Sequence, residues 1–423
     1  MSAKYDIVVF GATGYTGRMA AEFLAEKIYQ GAPFPKSAKA IAIAGRSTAK
    51  LEAVNSVIKN RFGEGLQFDV IQADTSDHNS IEQMVKQTKC VISTAGPYIK
   101  HGPIVVKYCV LYGVQYCDIT GEATFVREMI DKHNADAEKN NALILNMCGF
   151  DCIPFDLCTT YLADQVRRRY NAGLGNVQTV VSAQGGGVSG GTFQTIMANM
   201  SQSGGKGSKD MQDPYYMNPR DDPKFPPGTR PRAEDKENFL PKYDSVRGKW
   251  LAYSFFSLTD TKVVRRTARL FEKSGSGFGP KFTYLTERLE VPSVIHAWLM
   301  TIGLVIFVLL ASIPFTRNLL KKYGPQSGDG PSPAVRDKTR MQVVVSGEID
   351  GSSAKKKARV ILRGGDLGYY QTAHMVSVVG LVLAYQKDHL KIQGGVVTPG
   401  YAIGPYLVER LNQDTAIKIT YED

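Results

Sequence analysis

The chain has 423 residues, of which 43% are hydrophobic and 22% are charged. This composition is typical of a globular protein long enough for two or three domains, and it excludes a mainly disordered chain. The formal net charge is +11, but no nucleic-acid-binding motif accompanies the short basic tracts. We therefore predict no nucleic-acid partner.

The six cysteines all lie between Cys90 and Cys158, a distribution that disulfide-stabilised secreted proteins rarely show. We predict buried, reduced thiols. Cys148, Cys152 and Cys158 lack the paired spacing of a zinc site, so no metal is predicted. The chain starts with a polar stretch and a strand rather than a signal peptide, which predicts a cytosol-facing protein.

The first part of the chain alternates short apolar runs with segments of helical periodicity. This alternation predicts an α/β fold, a Rossmann-type doubly wound parallel sheet, over residues 1–156. The predicted strands are 5–10, 40–44, 66–72, 90–93, 115–118 and 142–147. The predicted helices are 18–27, 49–60, 80–88, 104–112 and 123–140.

The pattern changes after about residue 155, where antiparallel strands with few helices are expected and indicate a second domain of α+β type over 157–286 and 335–423. Residues 204–249 are rich in Gly, Pro, Asp and Lys and are predicted to be largely loop. A glycine-rich turn over 185–192 precedes an apparent helix. Further predicted strands are 177–184, 341–348 and 357–363, followed by an apolar helix over 370–385.

Residues 294–313 form an apolar segment bracketed by Pro292 and Pro314. Twenty apolar residues are long enough to cross a bilayer, although a monotopic anchor or a buried core helix has the same signature. Basic residues follow the segment, at Arg317, Lys321 and Lys322. We assign 287–334 to an apolar membrane-associating insertion and its linker.

A glycine motif of the form GxxGxxG follows the first predicted strand and opens the first predicted helix. This context predicts dinucleotide binding, since the glycines let the backbone approach the pyrophosphate and the helix N-terminus offers N–H groups to it. The residues of this predicted site are Gly11, Thr13, Gly14, Tyr15, Thr16 and Gly17.

The end of the second strand predicts which dinucleotide binds. NAD-specific sites have an acidic residue there, whereas this chain has Arg46, with Ser47 and Lys50 nearby. A guanidinium binds a 2′-phosphate in bidentate fashion, so we predict NADP rather than NAD, with NAD as the alternative. Asp74 is predicted to meet the adenine edge. A stretch after the fourth strand is predicted to run beside the nicotinamide ribose: Ala95, Gly96, Pro97 and Tyr98.

The chain resembles the saccharopine dehydrogenase-like oxidoreductases, a family that includes the bacterial trans-acting enoyl reductases. The resemblance spans residues 5–411 in family order, and one departure is Cys152, where the family usually has Ser. Besides the glycine motif, the stretches that carry it are 44–47, 95–98, 118–122, 149–154 and 394–400. The resemblance implies an NAD(P)-dependent reductase. The apolar segment is also similar to one in eukaryotic members that resemble proteins of lipid droplets and other membranes.

The sequence indicates the catalytic residues less clearly than the cofactor-binding residues. Tyr98, His101, Glu122 and Asp151 follow successive predicted strands, and Tyr98 or His101 is a candidate proton donor. No Tyr-x-x-x-Lys pair lies on a helix after these strands, so short-chain dehydrogenase catalysis is not supported. The catalytic residue is otherwise unassigned, and no oligomeric state is indicated.

These features leave two functional classes open. The first is an NADP-dependent reductase of a lipid-like enoyl or carbonyl substrate. The second is a non-catalytic, NADP-binding scaffold or sensor on a lipid surface. For either class we expect a monotopic anchor rather than a span, since the family resemblance continues through 394–400 and implies one folded unit. The expected location is the cytosolic face of a lipid droplet or the endoplasmic reticulum, with mitochondria as an alternative.

Overall fold

A computed structural model describes residues 3–35, 37–185, 193, 197, 212–326, 330–352 and 356–423. Most of the predicted glycine-rich turn over 185–192 lies outside the described residues. The described part contains two β-sheets with helices packed on them.

The first sheet has seven parallel strands in the order β3-β2-β1-β4-β5-β6-β14, the strand order of a doubly wound dinucleotide-binding domain with one strand added. The strands are β1 (Tyr5–Phe10), β2 (Ile41–Gly45), β3 (Asp69–Gln72), β4 (Thr88–Ser93), β5 (Gln115–Asp118), β6 (Leu143–Leu145) and β14 (Gly395–Val397).

Of the five helices predicted in the first domain, four begin and end within three residues of the predicted positions, whereas the helix predicted over 104–112 begins six residues earlier. The α-helices of the described residues are numbered in chain order. They are α1 (Tyr15–Tyr29), α2 (Thr48–Phe62), α3 (His78–Lys86), α4 (Tyr98–Tyr112), α5 (Ala123–Lys139), α6 (Ile153–Tyr170), α7 (Ser257–Lys273), α8 (Val294–Ser312), α9 (Pro314–Tyr323), α10 (Pro333–Lys338), α11 (Tyr370–Tyr385), α12 (Pro399–Ala402) and α13 (Pro405–Asp414).

Both faces of the first sheet are covered, which explains why its strands are apolar runs rather than alternating patterns. Ile7 and Val9 of β1 pack in one cluster with residues of α1, α2 and α11. Val8 and Phe10, which point the other way, pack in a second cluster with residues of α3, α4 and α5. The predicted doubly wound parallel sheet is therefore confirmed.

The second sheet is mixed rather than purely antiparallel, because β10 and β11 run parallel to β7. Its order is β15-β13-β12-β7-β11-β9-β8, with β10 also paired to β7. The strands are β7 (Leu174–Gln184), β8 (Lys242–Asp244), β9 (Lys249–Tyr253), β10 (Thr283–Tyr284), β11 (Arg288–Val291), β12 (Arg340–Ile349), β13 (Lys357–Gly364) and β15 (Lys418–Glu422). This confirms the predicted α+β second domain.

The path of the chain departs from the predicted domain boundaries at two places. Helix α11 and strand β14, which were assigned to the second domain, pack on and extend the first sheet. Strand β11 belongs to the second sheet although it falls within the predicted insertion 287–334. The physical reason is that an apolar helix or a three-residue strand does not indicate which of two sheets will bury it.

Candidate functional site

The glycine motif forms a tight turn between β1 and α1 that leaves no room for a side chain at Gly11 or Gly17. Gly11 has a φ of +85°, which favours glycine. A Cβ on Gly17 would lie 2.3 Å from the carbonyl oxygen of Gly11 and 2.5 Å from Oγ1 of Thr94. The loop, the first turn of α1 and Thr94, which follows β4, are thus in close contact, and we call this turn the glycine cradle.

The N-terminus of α1 opens from this turn. Its N-cap is Gly14, which supplies no side-chain hydrogen bond to the first turn of the helix. Free N–H groups and the positive end of the helix dipole are the features that bind a phosphate group. We propose that this helix N-terminus binds the pyrophosphate of a dinucleotide and that Thr13, Tyr15 and Thr16 line the site.

Arg46 lies directly after β2 and is exposed. Ser47 caps α2 by accepting a hydrogen bond from the backbone N–H of Lys50, with the N and Oγ 3.4 Å apart. A Cβ on Gly45 would lie 4.0 Å from Cγ2 of Thr13, so the end of β2 adjoins the glycine turn. A guanidinium at this end fits the 2′-phosphate of NADP.

Asp74 and His101 lie close to Arg46. The Oδ1 atom of Asp74 accepts a hydrogen bond from the backbone N–H of Ser76 at 2.9 Å. That bond, aided by the charges of Arg46 and His101, lowers the pKa of Asp74. Nδ1 of His101 is 2.6 Å from Oγ1 of Thr75, and burial, together with the charges of Lys100 and Arg46, lowers the pKa of His101. These residues gather beside the loop after β3, so we do not propose His101 as the proton donor.

Tyr98 is buried, and its hydroxyl is hydrogen-bonded to the protein backbone. Its hydroxyl donates to the carbonyl oxygen of Ser93 at 3.1 Å, and burial raises the pKa of Tyr98 well above its usual range. The backbone N–H groups of Tyr98 and Ile99 donate to the two carboxylate oxygens of Glu122, each at 2.8 Å. We therefore propose that Tyr98 shapes the loop after β4 and that its hydroxyl is not the proton donor.

Asp118 holds the loops after β5 and β6 together, a role that the sequence analysis missed. Its Oδ1 accepts from the backbone N–H groups of Thr120 and Met147, and its Oδ2 accepts from Asn146 and the hydroxyl of Tyr116. Burial raises the pKa of Asp118 to about 6. The signal in the sequence is an acidic residue at the end of an otherwise buried strand.

A second group of buried acids lies where α7 meets the loop after β6. The thiol of Cys152 is 3.3 Å from Oδ1 of Asp260, and the hydroxyl of Tyr284 donates to Oε1 of Glu287 at 3.0 Å. Burial raises the pKa values of Asp260 and Glu287, and the charge of Glu287 raises that of Asp260 further. These acids come from distant parts of the chain, so no local motif marks them.

The described cysteines are all free and buried, as predicted. The thiol of Cys152 contacts the carboxyl group of Asp260. Asp151 lies beside Gly121, since a Cβ there would be 3.0 Å from its Oδ2, and burial raises the pKa of Asp151 to about 6. Among the described residues, no cluster of His, Cys, Asp or Glu side chains could hold a metal ion.

The strand order, the glycine cradle and the cationic end of β2 together define a dinucleotide-binding oxidoreductase domain. Comparison with known proteins agrees. Residues 7–145 match the family model described as the saccharopine dehydrogenase NADP binding domain. A Mycobacterium tuberculosis protein, named among the trans-acting enoyl reductases, is 30% identical over 420 residues, covering 96% of this chain and 95% of that protein.

Two further similarities concern location and fold. A Caenorhabditis elegans lipid droplet localized protein is 27% identical, over 95% of this chain and 94% of that protein. The apo saccharopine dehydrogenase (L-Glu forming) of Saccharomyces cerevisiae has the same fold, with a TM-score of 0.52, 12% identity and 99% coverage of both chains. This chain belongs to the saccharopine dehydrogenase-like oxidoreductase family, and its cofactor is NADP.

Proposed function

We propose that this protein is an NADPH-dependent reductase of a lipid-like enoyl or carbonyl substrate and that it works at a membrane or lipid-droplet surface. The observation that carries the proposal is an almost wholly exposed apolar helix on a protein with an NADP site. Only 11% of the residues in the apolar stretch of α8 are buried, although the mean hydropathy of this stretch is 2.5. The names of the similar proteins, enoyl reductase and lipid droplet protein, support the same substrate class and location.

The topology around α8 argues against a simple span. The strand before the helix, β11, and the strand after its linker, β12, are both hydrogen-bonded to β7. A helix that crossed a bilayer would place these two neighbours of β7 on opposite sides. Because the strands of one hydrogen-bonded sheet cannot lie on both sides of a bilayer, we propose that the segment enters and leaves the lipid on the same side.

The length of α8 determines how the helix can lie in a single lipid layer. Helix α8 has 19 residues, about 28 Å, whereas one leaflet of hydrocarbon is about 15 Å deep. An inclined helix within one leaflet, or a helix entering the oil of a droplet, satisfies this length. The large exposed side chains of α8, and of Ile313 directly after it, are Ile295, Trp298, Leu299, Met300, Ile302, Val305, Ile306, Leu309, Leu310 and Ile313.

Helix α9 adds an amphipathic element at the rim. Phe315, Leu319 and Tyr323 are exposed apolar residues on a helix that also carries Lys321 and Lys322. This combination suits the boundary between acyl chains and phosphate headgroups. Together, α8 and α9 form what we call the docking hairpin.

At the cofactor site, each residue has a proposed task. The first turn of α1 binds the pyrophosphate, Arg46 binds the 2′-phosphate, and Asp74 contacts the adenosine. Residues 95–98, held by Glu122, position the nicotinamide ribose. NADPH supplies the hydride for reduction of the lipid substrate.

The test of catalysis is a screen of lipid extracts with purified full-length protein, following NADPH oxidation. An extract fraction that accelerates oxidation by the wild-type protein but not by Gly14→Val supports the proposal. If NADPH binds and no fraction is turned over, the protein is a non-catalytic NADP-binding scaffold.

The test of docking is flotation with liposomes of phosphatidylcholine and phosphatidylserine. The double substitution Ile302→Lys and Ile306→Lys places charges on the exposed face of α8 and should abolish flotation. Val246→Lys is the matched control, since Val246 is 95% exposed outside the docking hairpin. A wild-type protein that is soluble without detergent and does not float would refute docking.

A further inference from the structure

The chain that returns from the docking hairpin lies directly on the cofactor loop. We call residues 330–338 the return segment. The hydroxyl of Tyr15, within the glycine motif, donates to the carbonyl oxygen of Pro331 at 2.7 Å. A Cβ on Gly330 would be 2.6 Å from the ring of Tyr15, so this glycine is packed flat against the aromatic face.

Arg336 fixes the other end of the return segment. Its guanidinium carbon is 4.9 Å from the centre of the Tyr370 ring, and Nη1 lies 3.2 Å from the sulfur of Met19. Tyr15 in turn meets the ring of Tyr369 edge-on, with centroids 5.6 Å apart. The return segment is thus clamped between α1 and the start of α11, beside the helix N-terminus that we propose binds the pyrophosphate.

The link between the docking hairpin and this clamp is short. Residues 324–329 connect Tyr323 to Gly330, and full extension would span about 23 Å. The inner side of the hairpin rests on the protein, since Ala311 packs with Phe193 and Met197. The hairpin and the return segment are thus joined by six residues, so a displacement of the hairpin beyond the reach of this link also moves the return segment.

We propose that lipid docking of the hairpin and NADP(H) binding by the glycine loop favour each other through the return segment. The inference rests on the proposed docking function. On lipid, the apolar side chains of α8 and α9 are surrounded by acyl chains while the hairpin keeps its observed position. The return segment then keeps its contacts with Tyr15. In water, those side chains favour other contacts, which draw the return segment from Tyr15 and loosen the loop whose N–H groups meet the phosphates.

Coupling of this kind is reciprocal: if lipid tightens NADPH binding by a factor, NADPH tightens lipid binding by the same factor. We expect about fivefold, at the lower end of typical coupling between sites. The coupling is carried by a hydrogen bond, a ring contact and a cation–π contact, all with the same segment.

The test measures the dissociation constant of NADPH for full-length protein, with and without vesicles of phosphatidylcholine and phosphatidylserine. Wild type should bind about fivefold more tightly with vesicles. Gly330→Val pushes the return segment off Tyr15 and should remove the difference while the protein still floats. Gly65→Val is the matched control, because a Cβ on Gly65 meets nothing within 4 Å, and it should keep the difference.

Each outcome has a distinct meaning. If the protein floats but its NADPH affinity is the same with and without vesicles, the coupling is refuted and the proposed function stands. If Gly330→Val retains the full difference, the return segment is not the route and the inference fails. If wild type does not float, the docking function itself fails and the inference fails with it.

Discussion

The carboxylate of Glu122 accepts a hydrogen bond from the backbone N–H of Tyr98 at 2.8 Å. This bond joins the loop after β5 to the N-terminus of α4 and holds the stretch that we propose lines the nicotinamide ribose. Glu122 is fully buried, so its contact replaces water at the helix N-terminus.

Replacing Glu122 with Ala should lower the free energy of unfolding by about 1–3 kcal/mol, because two buried N–H groups lose their acceptor. Glu122→Gln keeps one acceptor and should cost less. Urea denaturation measures the difference, with Glu128→Ala on α5 as the control. Equal stability of Glu122→Ala and wild type would show that the bonds do not hold the loop.

Arg46→Ala should weaken NADPH binding by about 1.5–3 kcal/mol and leave NADH binding nearly unchanged, since only NADPH carries the 2′-phosphate. Calorimetric titration with both nucleotides measures this. Arg61→Ala is a matched control, because Arg61 is exposed at the far end of α2 and pairs with Glu22. Equal affinities of the unmodified protein for NADPH and NADH would contradict the assignment.

The glycines of the motif should separate into binding and folding roles. A Cβ on Gly14 would lie 3.3 Å from the Gly11 carbonyl oxygen, a tight contact that a small shift relieves, so Gly14→Val should fold and lose NADPH binding. Gly17→Val, with its 2.3 Å clash, should unfold at a lower temperature. Thermal melting and calorimetry distinguish the two. NADPH binding retained by Gly14→Val would place the phosphate elsewhere.

Asp156 should make stability fall as the pH rises. Burial raises its pKa to about 7, while its Oδ2 accepts from the backbone N–H of Gly400 at 2.8 Å. Between about pH 4 and 7 the folded state keeps a proton that the unfolded state releases, so unfolding becomes easier with rising pH. The contribution over this pH range is on the order of 4 kcal/mol.

Asp156→Asn removes this titration and should flatten that part of the profile, so that the variant gains on wild type towards pH 8. The comparison cancels the contributions of other groups. Asp164→Asn, on the same helix and paired with Arg168 at the surface, is the control. A constant difference between variant and wild type across pH 4–8 would contradict a buried, protonated Asp156.

The cofactor half of the molecule is readable from the sequence because its signals are local. Strand β1 is an apolar run that ends at a glycine, and β5 falls at the predicted residues Gln115–Asp118. Arg46 follows β2 directly, so the predicted end of that strand is enough to place Arg46 at the edge of the sheet where we propose the cofactor binds. No knowledge of tertiary packing is needed. The family resemblance adds the order of the remaining motifs.

Features that depend on distant contacts were not predictable. The sequence gives no reason why β14 pairs with β6, or why the hydroxyl of Tyr98 donates to the carbonyl oxygen of Ser93. The contact between Tyr15 and Pro331 joins residues 316 positions apart, and neither belongs to a pattern that indicates the other. Likewise, the thiol of Cys152 and the carboxyl group of Asp260 are 3.3 Å apart although the two residues are 108 positions apart in the chain.

The most direct test of the central claim is transfer of label from NADPH deuterated at C4 of the nicotinamide to a lipid. Full-length protein is incubated with the labelled NADPH and vesicles made from a lipid extract, and the lipids are analysed by mass spectrometry. A reductase predicts one lipid class that gains a single deuterium with wild type and none with Gly14→Val. If wild type binds NADPH and floats with the vesicles, yet no lipid gains deuterium above the Gly14→Val level, the account of a lipid reductase is contradicted.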